Sequence, residues 1–160
     1  MDTELLALAE RTGAALVSRG AVLATAESCT GGWIGAAVTM VAGSSRWYDG
    51  GFITYSNAVK QSVLGVSPET LLRHGAVSEA TVLEMVDGTL RALRSDIAVA
   101  VSGVAGGGAS AASAVRQACL ACSSAAAPSC SRASAIASAS RMASIAAGAG
   151  ASMRAPSPCS

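Results

Sequence analysis

The short run Ala21-Val-Leu-Ala-Thr-Ala26 follows Gly20, carries no charge, and leads through Glu27-Ser-Cys-Thr30 to the glycine pair Gly31-Gly32. A helical pattern begins directly after the pair. Such a run suits a strand buried on both faces, as in parallel sheets covered by helices on either side. No other feature restricts the fold as much, because the rest of the first hundred residues must supply those helices and the neighbouring strands.

It does. Leu5, Leu6, Leu8, Ala9, Leu16 and Val17, set among Glu4, Glu10 and Arg11, predict an amphipathic helix over 3–18 that Gly20 stops. A small-residue helix is expected over 31–41, then a turn at Gly43-Ser44-Ser45. A second strand region follows from Trp47 to Tyr55, with Gly50-Gly51 as a bend or bulge. A helix from Asn57, taken as its N-cap, reaches Leu64, and Ser67-Pro68-Glu69 opens another. Ser78 begins a long one, in which Val82, Met85, Val86, Leu90 and Leu93 repeat at helical spacing. Residues 97–101 form a third buried strand. This alternation implies an α/β layered fold with a largely parallel central sheet flanked by helices. All the aromatic residues lie between Trp33 and Tyr55 and are expected to pack the core.

Beyond Gly106 the composition changes abruptly. Of the 54 residues 107–160, 19 are Ala and 13 are Ser, with no Asp, Glu, Lys or aromatic residue. So little bulky side chain buries little area, so this stretch reads as a low-complexity tail rather than core. The tail is expected to be mostly irregular or Ala-driven helix, the helix around 132–147, with at most one weak strand near 115–122. With later strands missing or degraded, residues 97–101 or a neighbouring strand are expected to be left at an unpaired edge. A frame change in a GC-rich coding sequence would give such a shift; a natural Ala/Ser-rich tail is the alternative. The division expected is an incomplete α/β domain over 1–106 and a tail over 107–160.

Charge and cysteine content exclude several classes. A net charge of +1 gives no reason to expect nucleic acid or an acidic membrane surface. No stretch reads as a signal peptide or a membrane span, so a cytoplasmic protein is expected. Cys119-Leu-Ala-Cys122 has the spacing of half a zinc site, but no second pair follows and His74 is distant in sequence. No metal and no cofactor is expected.

Ser28 stands where a strand hands over to a helix start, whose free N–H groups suit an oxyanion or a phosphate. Without the blocks further along the chain, a helix cap is the preferred reading of it. Cys29 is the better intrinsic nucleophile and competes with it, and Glu27 suits holding the strand end by hydrogen bonding. Lys60, in Tyr55-Ser-Asn-Ala-Val-Lys60, offers a base, since a desolvated lysine loses its proton more readily. The N–H groups near Thr30, Gly31 and Gly32 are the expected oxyanion donors. Ser102, Gly103 and Gly106 form a turn after the third strand, where backbone N–H groups can approach a phosphate; a plain strand-to-loop turn is the alternative.

Four ordered blocks resemble one family. They are Ala26-Glu-Ser-Cys-Thr-Gly-Gly32, Gly50-Gly-Phe-Ile-Thr-Tyr-Ser-Asn-Ala-Val-Lys60 with Leu64-Gly-Val66, Gly75-Ala-Val-Ser-Glu79, and Ser102-Gly-Val-Ala-Gly106. Residues 1–106 resemble the CinA C-terminal domain family, whose characterised members are nicotinamide-nucleotide amidohydrolases. The resemblance implies deamidation of nicotinamide mononucleotide to nicotinic acid mononucleotide and ammonia. It also implies Ser28 as nucleophile, with Tyr55 and Lys60 as its proton-handling partners. The partner implied is a small-molecule nucleotide, with a homo-oligomer left open. The family's later strands and Gly-Asp-Arg segment have no recognisable counterpart here. The alternative is therefore an inactive remnant, serving as a nucleotide-binding or oligomerising module.

Overall fold

The computed structural model describes residues 3–93, 95–104 and the backbone of 117–122. Its elements run α1 (Thr3–Arg19), β1 (Leu23–Glu27), α2 (Trp33–Thr39), a 3-10 turn (Ser44–Arg46), β2 (Tyr48–Ile53), α3 (Asn57–Leu64), α4 (Pro68–His74), α5 (Glu79–Leu93), β3 (Ile97–Ser102) and β4 (Gln117–Cys122). The strands form one sheet in the order β2-β1-β3-β4. β1 pairs in parallel with β2 on one side and β3 on the other. β4 is antiparallel to β3, with Ile97 opposite Cys122 and Ser102 opposite Gln117.

β4 falls where one weak strand was expected, near 115–122, and corrects the expectation of an open edge at 97–101. Residues 97–101 are not an unpaired edge, because a strand from beyond residue 106 covers them along the full length of β3. Gly106 and the helix expected around 132–147 lie outside the described residues.

Helices cover both faces of the sheet, and the strands explain why. In β3, Val99 and Val101 turn to one face and Ala98 and Ala100 to the other, as the two-residue period of a strand requires. The first pair joins Leu16 of α1, Ile34 and Val38 of α2, Leu23 and Trp47 in one core. The second joins Leu64 of α3, Leu71 of α4, and Val82, Met85 and Val86 of α5 in the other. Each large aliphatic side chain buried there contributes about 1.5–3 kcal/mol.

Small residues on the second face let the helices close on one another. A Cβ on Gly88 of α5 would collide with the main-chain carbonyl of Leu64. Gly88→Ala is therefore expected to destabilise the protein by about 1–3 kcal/mol, despite alanine's higher helix propensity. Urea unfolding measures this; an unchanged midpoint would mean that the two helices are free to separate.

Three local expectations shift by a residue or so. Ser56, not Asn57, caps α3, its hydroxyl accepting from Val59 N at 3.2 Å. The β1–β2 register slips between Leu23 and Ala24, which face Tyr48 and Gly50, so the extra residue is Asp49 rather than the glycine pair. The aromatic residues also divide: Trp47 is buried, whereas Trp33 and Tyr55 are exposed.

Candidate active site

β1 is the switch point of the sheet. The chain leaves it through α2 to reach β2 on one side, then returns through α3–α5 to β3 on the other. In open α/β sheets a crevice opens at the carboxyl end of such a strand. Ser28 is the first residue past that end. Its N–H donates to Val101 O of β3 at 3.0 Å, and across the strand Thr54 N donates to Glu27 O at 2.7 Å. The serine is thus held between both neighbouring strands.

Glu27 gives the loop after Ser28 its shape. Its carboxylate is buried and accepts from Thr30 Oγ1 (2.7 Å), Gly32 N (3.2 Å), Ile34 N (3.0 Å) and Gly35 N (2.8 Å). Three of these donors are the otherwise orphaned N–H groups at the start of α2. Helix α2 has only seven residues and a glycine N-cap without a side-chain bond. The strand-end carboxylate therefore supplies the cap, and the negative charge suits the positive end of the helix. Gly31 and Gly32 adopt φ of 60° and 100°, a left-handed region that favours glycine.

Lys60 comes from the second turn of α3 and is 1% exposed, on the buried face with Leu64. Helical side chains lean toward the N-terminus of their helix, which brings its amine back over the residues preceding α3. Nζ lies 2.7 Å from Thr54 O, 3.2 Å from Tyr55 O and 3.0 Å from Ser28 Oγ. Carbonyls only accept, so two of its N–H bonds go to Thr54 and Tyr55. The remaining position faces a hydroxyl, which can donate to the lone pair of a neutral amine. Burial pushes the Lys60 pKa below its ordinary 10.5, with Cys29 opposing the shift.

Cys29 is half-buried and free. Burial raises its thiol pKa above 9.0, outweighing the N–H groups of Cys29 and Thr30 and the nearby Lys60. That leaves little thiolate at neutral pH, which weakens the cysteine as a competitor to Ser28.

The other expected residues fall as follows. Gly31 N donates to Ser28 O at 3.1 Å and Gly32 N to the Glu27 carboxylate, so neither is open to an oxyanion. The N–H groups of Cys29 and Thr30 act on the Cys29 thiol, each lowering its pKa, so of the three expected donors Thr30 stays a candidate. Tyr55 is 65% exposed; it meets Lys60 through its carbonyl rather than its phenol. Ser102 is buried at the end of β3, its hydroxyl donating to Ala76 O at 2.7 Å. Gly103 follows it in partial exposure, and Gly106 is not among the described residues. The Thr54 carbonyl was not anticipated. The signal for it was a lysine four residues before Leu64 on the apolar stripe of α3, which places its amine over the chain just before the helix.

Comparison with known proteins bears on the family and the fold. The family model for the CinA C-terminal domain matches residues 5–153. Nicotinamide-nucleotide amidohydrolase PncC of Escherichia coli (strain K12) is 55% identical over 105 residues, covering 66% of this chain and 64% of that protein. The chain thus spans a little under two thirds of the curated relative's length. A CinA superfamily protein from Klebsiella pneumoniae 700603 superposes with a TM-score of 0.69 at 36% identity, over 91% of this chain and 94% of that one. The competence/damage inducible protein CihA of Agrobacterium tumefaciens gives 0.67 at 44% identity, over 75% and 73%. The chain belongs to the CinA C-terminal domain family.

Proposed function

We propose that this chain deamidates nicotinamide mononucleotide, with Ser28 as nucleophile and Lys60 as general base. The observation that carries this is the 3.0 Å contact between a buried lysine amine and a serine hydroxyl at the sheet's switch point. The activity named for the PncC relatives supplies the substrate class. Lys60 takes the Ser28 proton as Oγ bonds to the carboxamide carbon. The N–H groups of Cys29 and Thr30 meet the oxyanion. The C–N bond then breaks, the nitrogen takes the proton back from Lys60, and ammonia leaves. Water attacks the resulting ester, giving its proton to Lys60, which returns one to Ser28 Oγ as the carboxylate departs. Tyr55 acts in this scheme through its carbonyl, orienting the amine. The turn at Ser102 and Gly103 is assigned to the nucleotide side of the pocket, and a cytoplasmic setting belongs to the same reading.

The alternative, an inactive remnant, sits poorly with a fully buried lysine. Desolvating an amine costs free energy that a binding or oligomerising module would have no use for. The test is ammonia release by the purified chain. Nicotinamide mononucleotide should yield ammonia and nicotinic acid mononucleotide in equal amounts, and free nicotinamide far less. No ammonia from the nucleotide, by a folded protein, would favour the remnant.

A further inference from the structure

Among the described residues eight large apolar side chains are exposed, and four of them surround the carboxyl edge of the parallel strands: Trp33, Ile53, Tyr55 and Val104. Trp33 follows β1, Ile53 and Tyr55 end and follow β2, and Val104 follows β3. The same edge carries Ser28. Two tight turns, closed by Gly31 N to Ser28 O and Trp33 N to Thr30 O, both at 3.1 Å, make the short link between the serine and Trp33 at the start of α2. The end of β2 touches this loop, since a Cβ on Gly32 would lie 2.9 Å from Ile53 Cδ1. An apolar, partly aromatic set of side chains therefore shares the sheet edge that carries the hydroxyl and amine.

Charge decides what this set fits. The segments 27–33, 53–60 and 102–104 contain one carboxylate, Glu27, and one amine, Lys60. Glu27 is 2% exposed and accepts four hydrogen bonds from its own loop, so little of it is accessible to a ligand. A nicotinamide nucleotide carries a quaternary, positively charged pyridinium ring. No described carboxylate on this edge can face that charge, whereas an indole face can. We propose that Trp33 seats the pyridinium ring by a cation–π contact, with Ile53 and Tyr55 closing the sides; this rests on the amidohydrolase reading above and names the residue that selects a cationic aromatic amide.

Trp33 is 48% exposed and Trp47, the only other tryptophan, is 2% exposed within the core, so fluorescence separates them. In a Ser28→Ala background, which holds substrate without turnover, nicotinamide mononucleotide should quench emission saturably. Trp33→Leu should abolish the saturable part and leave Trp47 emission as evidence of folding. In the active protein Trp33→Leu should raise KM about tenfold with kcat changed less than twofold, and Trp33→Phe, which keeps a π face, should recover much of the loss. An unchanged KM in Trp33→Leu, a quench that persists there, or a change only in oligomeric state would overturn the proposal. Absence of ammonia release by the unsubstituted chain would instead overturn the amidase reading. The titration would still report whether the ring is seated on Trp33.

Discussion

Lys60→Met should lower kcat for ammonia release by about a thousandfold or more, because it removes the only described group positioned to take the Ser28 proton. The substitution keeps an unbranched apolar stem on the buried face of α3, so the fold should survive. The pH dependence is as informative as the rate. Burial lowers the Lys60 pKa from 10.5, so the acid limb of kcat/KM should lie below that value, with activity rising as the amine loses its proton. Stability carries the same signature. The unfolded chain holds the Lys60 proton up to about its ordinary pKa, whereas the folded chain gives it up earlier. The cost of burying the charged amine is therefore fully present below the folded pKa. It is relieved as pH rises from there toward the unfolded value. Unfolding free energy should climb across that window in the unsubstituted protein, and Lys60→Met should lose that climb. An identical pH–stability profile in both would mean that Lys60 is not desolvated, and the base assignment would fall with it.

Glu27→Ala should be the most destabilising single change near the site, at about 3 kcal/mol or more. It strands the N–H groups of Gly32, Ile34 and Gly35 together with the Thr30 hydroxyl, and each buried unsatisfied donor costs about 1–3 kcal/mol. A seven-residue helix has no independent stability to absorb the loss. The loop carrying Ser28, Cys29 and Thr30 should move with it, so activity should fall too. Glu27→Gln retains one acceptor oxygen and should recover part of both. Denaturant unfolding alongside ammonia release checks this. A loss of activity with no loss of stability would instead give Glu27 a direct chemical role.

The sheet was legible in the sequence because its strands carry their own signal. The runs at 21–26 and 97–101 are too uniformly apolar for a half-exposed element, and Gly20 marks where β1 follows a helix. Caps were less legible: Ser56 and Asn57 are adjacent and both are good N-cap residues, so composition alone cannot choose between them. β4 was hard to foresee in strength, since Gln117–Cys122 has one large aliphatic, Leu120, and its pairing with β3 is a matter of backbone hydrogen bonds. At the site, the meeting of Ser28 with Lys60 came from the family resemblance. Thirty-two positions separate the two, and the contact depends on parallel pairing of β1 with β2. The engagement of Gly32 N was not legible for a different reason. Glu27 reads as a strand-end acid, and only the folded loop reveals that its carboxylate consumes the N–H groups at the start of α2.

The exposed division of aromatics carries a similar lesson about where physical reading of a sequence stops. Trp47 and Trp33 have the same side chain, yet one sits in the core against Leu16 and Val38 while the other faces solvent beside the nucleophile's loop. Helix α2 buries Ile34, Ala37 and Val38, and the three- and four-residue spacing of that stripe leaves position 33 off it. The stripe could be read from the sequence; its bearing on Trp33 needed the helix start at that residue.

The measurement that bears most directly on the account is ammonia release from nicotinamide mononucleotide by Ser28→Ala and Cys29→Ala, assayed side by side with the unsubstituted chain. Ser28 holds the 3.0 Å contact with Lys60, and burial leaves the Cys29 thiol largely protonated. Ser28→Ala should reduce release to the background rate, and Cys29→Ala should keep most of it. Retained activity in Ser28→Ala, with loss in Cys29→Ala, would move the nucleophile to the cysteine and contradict the serine–lysine mechanism.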